Sequence, residues 1–165
     1  MPATREKRVQ DIMVPVEDYA TVFLENTLRD AIFVLKSTFY SVCTDGSQAH
    51  RSVLVFDNRR RLVGTLSFRD VIGSFKVPED SPKHWEGLLR KLCLFHAGMR
   101  VKEIMKPVGK TKVQAHDSII SAIYLLINED LELVPVEENG IIVGMIRSVE
   151  IFKEVSEIVE SNNFS

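Results

Sequence analysis

Cysteine is scarce: Cys43 and Cys93 are the two in a chain of 165 residues. They form neither a C-x-x-C pair nor a disulfide framework, which excludes Cys-rich redox and zinc motifs and suits a reducing cytoplasm. Cys93 lies among Leu92, Leu94 and Phe95 and reads as a buried core thiol. Long apolar runs are missing as well. No stretch reaches the roughly 18–20 residues of a membrane span, and the opening "MPATREKRVQDIM" has charges but no apolar core, so no secretory signal is expected. Charge of one sign is also lacking. A net charge of −2 leaves no electrostatic footprint for nucleic acid, and Arg59-Arg60-Arg61, set between two strand-like segments, reads as a solvated hairpin turn. His50, His84, His96 and His116 show no metal-ligand spacing. There is no P-loop, no G-x-G-x-x-G and no G-x-S-x-G elbow. With no nucleophile–base pair and no metal set, an enzyme is not expected.

What is present is an ordinary globular balance, 45% apolar and 27% charged, at a length that allows one core or two small units sharing one. The informative feature is an internal repeat. "VQDIMVP" (Val9–Pro15) matches "VKEIMKP" (Val101–Pro107) at an offset of 92, and "DAIFVL" (Asp30–Leu35) matches "SAIYLL" (Ser121–Leu126) at 91. "VLVFD" (Val53–Asp57) matches "LVPVE" (Leu133–Glu137) at 80, and "LVGTLSFRDVI" (Leu62–Ile72) matches "IVGMIRSVEIF" (Ile142–Phe152) at 80. The drop from 91 to 80 places about eleven extra residues in the first copy, around "YSVCTDGSQAH".

Each copy reads alike. A Met-x-Pro break, with Met13 and Met105 as core residues, leads to a short strand, "TVFL" or "KVQA". A helix follows whose apolar positions recur at i, i+3, i+4 and i+7: Leu28, Ala31, Ile32 and Leu35 in the first copy, Ile119, Ala122, Ile123 and Leu126 in the second. Asn26-Thr27 and Asp117-Ser118 are candidate N-caps. A hairpin comes next, turning through Asn58 and the arginines in one copy and through Asn139-Gly140 in the other. A closing helix ends each copy. Between the copies, "SPKHWEGLLRKLCLFHAG" reads as an added helix capped by Ser81, with Pro82 in its first turn and Gly98 at its end. Its apolar stripe is Trp85, Leu88, Leu89 and Leu92, available for packing or for an intermolecular contact.

A β-α-β-β-α unit repeated in tandem, with D/E-I-M-x-P ahead of each copy and G-x-x-S/T-x-x-D at the last strand–helix junction, resembles the cystathionine-β-synthase (CBS) domain. The pair looks like a Bateman module, here without an attached catalytic domain. The resemblance implies an α+β (mixed α/β) fold of two CBS repeats with pseudo-two-fold symmetry. The expected division is residues 1–77 for the first repeat with its N-terminal segment, 78–99 for the linker helix, and 100–165 for the second repeat with an extended C-terminal helix. It also implies two pseudo-symmetric clefts for adenosine-containing nucleotides. In the family the motif Asp bonds the ribose hydroxyls and the Ser/Thr lies beside the phosphate at a helix N-terminus.

Carried onto this chain, the nucleotide-binding residues are Gly64, Ser67 and Asp70, with Arg51 and Ser52 ahead of the middle strand and Thr111 from the other repeat. The chemistry is sound in itself, because a carboxylate accepts from a vicinal diol and free helix N–H groups face an anion. Ser67 and Asp70 also have the spacing of a capping box, and both roles can coexist. The second copy departs from the pattern. Gly144 is kept, but Arg147 replaces the serine and Glu150 the aspartate, while Leu131 and Glu132 fall where Arg51 and Ser52 stand. This site is expected to be degenerate, with Arg147 either binding phosphate or pairing with an acid. The expected function is a regulatory, energy-sensing module in the cytoplasm, with no required cofactor and no catalysis. Its ligand is AMP, ADP or ATP, with S-adenosylmethionine and NADH ranking behind. A homodimer through "VIGSF" and "IFKEVSEIV" and a regulated protein are the expected partners, with no nucleic acid and no membrane. The alternative is a ligand-free dimerisation or scaffold module.

Overall fold

The D/E-I-M-x-P segments form a short turn followed by a two-residue strand, and each position has a separate task. In the computed structural model, which describes residues 5–40, 52–77, 79 and 85–161, the first copy is helix α1 (Val9–Ile12) followed by β1 (Val14–Pro15). The second is a 3-10 turn, Val101–Glu103, followed by β5 (Lys106–Pro107). Val9 and Val101 are fully buried. The acid fastens its own turn: Asp11 Oδ2 accepts the Arg8 N–H at 2.7 Å, and Glu103 Oε2 accepts the Arg100 N–H at 2.7 Å. Proline, which lacks an N–H, then sits on a sheet edge where no donor is needed.

These segments pair out of phase with the sequence repeat. One unit is Tyr19–Val108, and the other joins Met1–Asp18 to Gly109–Ser165. This differs from the expected 1–77, 78–99 and 100–165 division. β1 pairs with the last strand of the second repeat and β5 with the last strand of the first, so each repeat takes its edge from the segment that precedes the other copy.

In the Tyr19–Val108 unit, β2 (Thr21–Phe23) runs parallel to β3 (Ser52–Phe56), joined by α2 (Leu28–Tyr40). Parallel neighbours require such a crossover. β4 (Leu62–Ser67) returns antiparallel to β3, giving the order β2-β3-β4-β5, and leads directly into α3 (Phe68–Gly73). The core is Val22, Leu28, Ala31, Leu35, Val53, Val55, Leu66, Val71 and Val101. Ile32, expected in the buried stripe of α2, is 41% exposed. Thr27 caps α2 as expected, accepting the Asp30 N–H at 3.3 Å.

The other unit repeats the plan with β6 (Val113–Gln114), α5 (Ile119–Asn128), β7 (Leu133–Glu138), β8 (Ile141–Arg147) and α6 (Ser148–Ser161), in the order β1-β8-β7-β6. Its core is Val9, Val113, Ala115, Ile119, Ala122, Leu126, Val134, Val136, Ile146 and Ile151. Ser118 caps α5 through the Ile120 N–H at 3.2 Å. Asn139 and Gly140 take φ of 53° and 81°, the left-handed pair that an Asn-Gly hairpin turn needs.

The added helix, α4 (Leu88–Ala97), starts later than expected because Gly87 breaks the chain at φ 76°. Ser81, Pro82 and His84 lie outside the described residues, as do Cys43 and His50. Trp85 and Leu89 of the expected stripe are exposed, and Cys93 is exposed rather than buried. The apolar residues around Cys93 surround the helix instead of lining one face, so the core reaches few of them.

Candidate functional site

The junction between β4 and α3 carries the first site. Ser67 closes the strand opposite Ser52 of β3, and Asp70 follows in the first turn of α3. The Asp70 N–H donates to Ser67 Oγ at 3.2 Å. Asp70 Oδ2 accepts both the Ser67 N–H at 2.8 Å and the Ser67 hydroxyl at 2.9 Å. This is a complete capping box. It engages one carboxylate oxygen only: among the described residues no donor reaches Asp70 Oδ1. Ser67 and Asp70 are each half-buried, and the cap holds the carboxylate in place.

Gly64 serves the packing of this junction. A Cβ there would lie 2.6 Å from Met105 Sδ and 2.8 Å from the Lys106 carbonyl oxygen, so the strand tolerates no side chain under β5. Gly144 repeats the arrangement, with Met13 Sδ at 2.6 Å and the Val14 carbonyl at 2.8 Å. The motif methionine and the motif glycine are therefore partners in each unit, a link that neither motif reveals by itself. Thr111 belongs to the other unit, where its hydroxyl donates to Glu129 Oε2 at 2.6 Å. Arg51 lies outside the described residues.

The junction between β8 and α6 is filled differently. Arg147 Nε donates to Glu150 Oε1 at 2.7 Å, and the two side chains are 18% and 12% exposed. Arginine has no acceptor and cannot receive a helix N–H as Ser67 does. Glu150 Oε2 is buried without a hydrogen-bond partner among the described residues. Arg147 is thus paired with an acid.

Register corrects one correspondence. Ser52 pairs with Ser67, and Leu133 with Arg147, so the middle strands match at an offset of 81 rather than 80. The residues matching Arg51 and Ser52 are thus Glu132 and Leu133, not Leu131 and Glu132. The cause is the hairpin: the first connection, Asp57 to Arg61, is one residue longer than the second, Glu138 to Ile141. Asp57 organises that longer turn, a role the sequence reading missed. Its Oδ1 accepts the Arg59 and Arg61 N–H groups at 2.8 and 2.9 Å, and its Oδ2 accepts Arg61 Nε at 2.9 Å. The Arg61 N–H above all, then the Arg61 guanidinium and the Arg59 N–H, hold its carboxyl below the ordinary range against the effect of burial. An aspartate at a strand end, followed by a turn, was the available signal.

Comparison with known proteins agrees with this architecture. The CBS domain family model matches residues 9–76. No curated protein sequence matches the chain. Among solved structures, the chain is similar to the CBS-pair protein CBSX2 from Arabidopsis thaliana, at TM-score 0.69 and 20% identity over 94% of this chain and 99% of that one. CBSX2 in complex with AMP gives 0.65 and 22% over 92% and 97%. A CBS domain-containing protein from Bacillus anthracis gives 0.66 and 21% over 93% and 95%. Residues 9–76 thus match the CBS domain family, and the chain has the fold of a tandem CBS pair. No helix among the described residues is long and apolar enough to cross a membrane.

Proposed function

We propose that this protein is a regulatory CBS-pair module that binds an adenine nucleotide of the AMP, ADP or ATP class at the β4–α3 junction, senses cellular energy state in the cytoplasm, and catalyses no reaction. The observation that carries this reading is the unengaged Oδ1 of Asp70 on a carboxylate already fixed by Ser67. An oriented acceptor of this kind suits a ribose hydroxyl, and Ser52 pairs with Ser67 on the neighbouring strand. The AMP complex of a protein with the same fold supports the ligand class. Ligand acts on a regulated protein only through different affinities for two states of the module. The same reading includes a homodimer through exposed apolar residues of the closing helices, such as Phe152 and Val159. A monomer by light scattering at micromolar concentration contradicts that part.

Calorimetry with AMP, ADP and ATP tests the site. Asp70→Ala should weaken binding about tenfold or more, the scale of one lost charge-assisted hydrogen bond. Glu150→Ala should change it little. Equal effects of the two substitutions overturn the one-site reading. The completeness of the Ser67–Asp70 cap favours a second reading, a ligand-free dimerisation or scaffold module. That reading replaces the first if none of the three nucleotides binds or raises the melting temperature at millimolar concentration.

A further inference from the structure

The one buried side chain of α4 is a histidine. His96 is 7% exposed, while Leu89, Leu94 and Phe95 of the same helix face outward. Both ring nitrogens meet carbonyl oxygens: Nδ1 lies 2.8 Å from Leu92 O, one turn back, and Nε2 lies 3.2 Å from Ser74 O, just past the end of α3. Phe75 and Phe95 set their rings edge-on around it, with centroids at 4.8 and 5.5 Å. The ring is thus gripped from the α3 side and from its own helix.

Carbonyl oxygens only accept. A neutral imidazole has one N–H and one lone pair, so it can satisfy one of these carbonyls and must turn the lone pair toward the other. An imidazolium donates to both. We propose that His96 is a proton-operated latch between α4 and the end of α3, closed when the ring is protonated and loosened when it is neutral. The charged and titratable groups on the surrounding elements are Arg69, Asp70 and Lys76 on and after α3, Arg29, Asp30 and Lys36 on α2, and Arg90, Lys91 and Cys93 on α4. Among the described residues none forms an ion pair with the ring, which leaves the two carbonyls as its polar partners. The latch has a path to the rest of the unit. α4 runs into Met99, whose carbonyl accepts the Leu28 N–H at 2.7 Å at the start of α2, and then into the turn that leads to β5 over Gly64. Loosening α4 therefore relaxes the anchor of the edge strand at the β4–α3 junction.

Hydrogen exchange of the α4 amides, corrected for intrinsic rate, tests the latch at about pH 5.5 and about pH 8, the interval in which histidine changes charge. Protection of α4 should fall about fivefold or more at the higher pH, the scale of one hydrogen bond, with α5 unchanged as the internal control. His96→Gln, which does not titrate, should abolish that difference. Equal α4 protection at both pH values in the native protein, or the same fall in His96→Gln, overturns the proposal. Should His96→Gln not fold, ring 15N shifts of the native protein decide. Protons on both nitrogens in the protected state, and loss of one as protection falls, support the latch. A ring that titrates with no change in α4 protection overturns it.

Discussion

At the end of β4, Ser67 receives a helix N–H and Asp70 keeps one carboxylate oxygen unengaged; at the end of β8, Arg147 and Glu150 close on each other. The backbone around the two junctions is matched down to the glycine under the neighbouring edge strand. What differs is how the polar groups are satisfied. Each acid has one oxygen without a partner among the described residues, but Glu150 Oε2 is buried on a carboxylate paired with Arg147, whereas Asp70 forms no ion pair among them. The fold thus supplies the same position twice, and side-chain chemistry decides how each is filled.

The largest test of that contrast is Arg147→Ala. It leaves Glu150 buried with neither oxygen partnered, and should destabilise the protein by about 3 kcal/mol, the range for breaking a mostly buried ion pair. Ser67→Ala removes one cap and should cost about 1 kcal/mol. Urea melts of both variants check the ordering, and an equal loss at the two sites means the Arg147–Glu150 pair is not the structural closure described above. Between these in size come the glycines. Gly64→Ala and Gly144→Ala should each cost about 2 kcal/mol through overpacking, because a Cβ meets a backbone carbonyl that cannot swing aside. Here the two units should behave alike. A difference of more than about 1 kcal/mol between the two glycine variants breaks the equivalence of the edge strands.

Much of this was legible in the sequence, for physical reasons that also mark where legibility ends. The repeat, the caps at Thr27 and Ser118 and the Asn139-Gly140 turn depend on local chemistry, which sequence reports directly. The departure at Arg147 and Glu150 was visible because they stand where the first copy has Ser67 and Asp70. Strand register was not. "VLVF" and "LVPV" are apolar on both faces, so alternation could not reveal a one-residue slip that depends on hairpin length. The pairing of each edge strand was hidden because two residues carry no periodic signal, and the partner lies in the other copy. Cys93 was misread because α4 is apolar around most of its circumference, and only packing decides which residue turns inward.

The smallest effect separates the two hairpins. The first depends on Asp57, whose carboxyl is held below its ordinary range chiefly by the Arg61 N–H, while the second turns on Asn139-Gly140 and needs no acid. A group whose folded value is depressed contributes stability that is present above its unfolded value and lost as pH falls through the folded one. Asp57 therefore stabilises at neutral pH and ceases to do so in acid, at and below the ordinary aspartate range. Glu137 behaves with the same sign in the other unit, depressed first by Lys112 and then by Gln114, which adds a second source of acid dependence. Asp57→Asn removes the first. Urea midpoints between about pH 6 and about pH 3 should fall less steeply in Asp57→Asn than in the native protein, and less steeply still on adding Glu137→Gln. An unchanged acid slope in Asp57→Asn means that the turn is held by its backbone alone, and the two hairpins then differ in length but not in what fastens them.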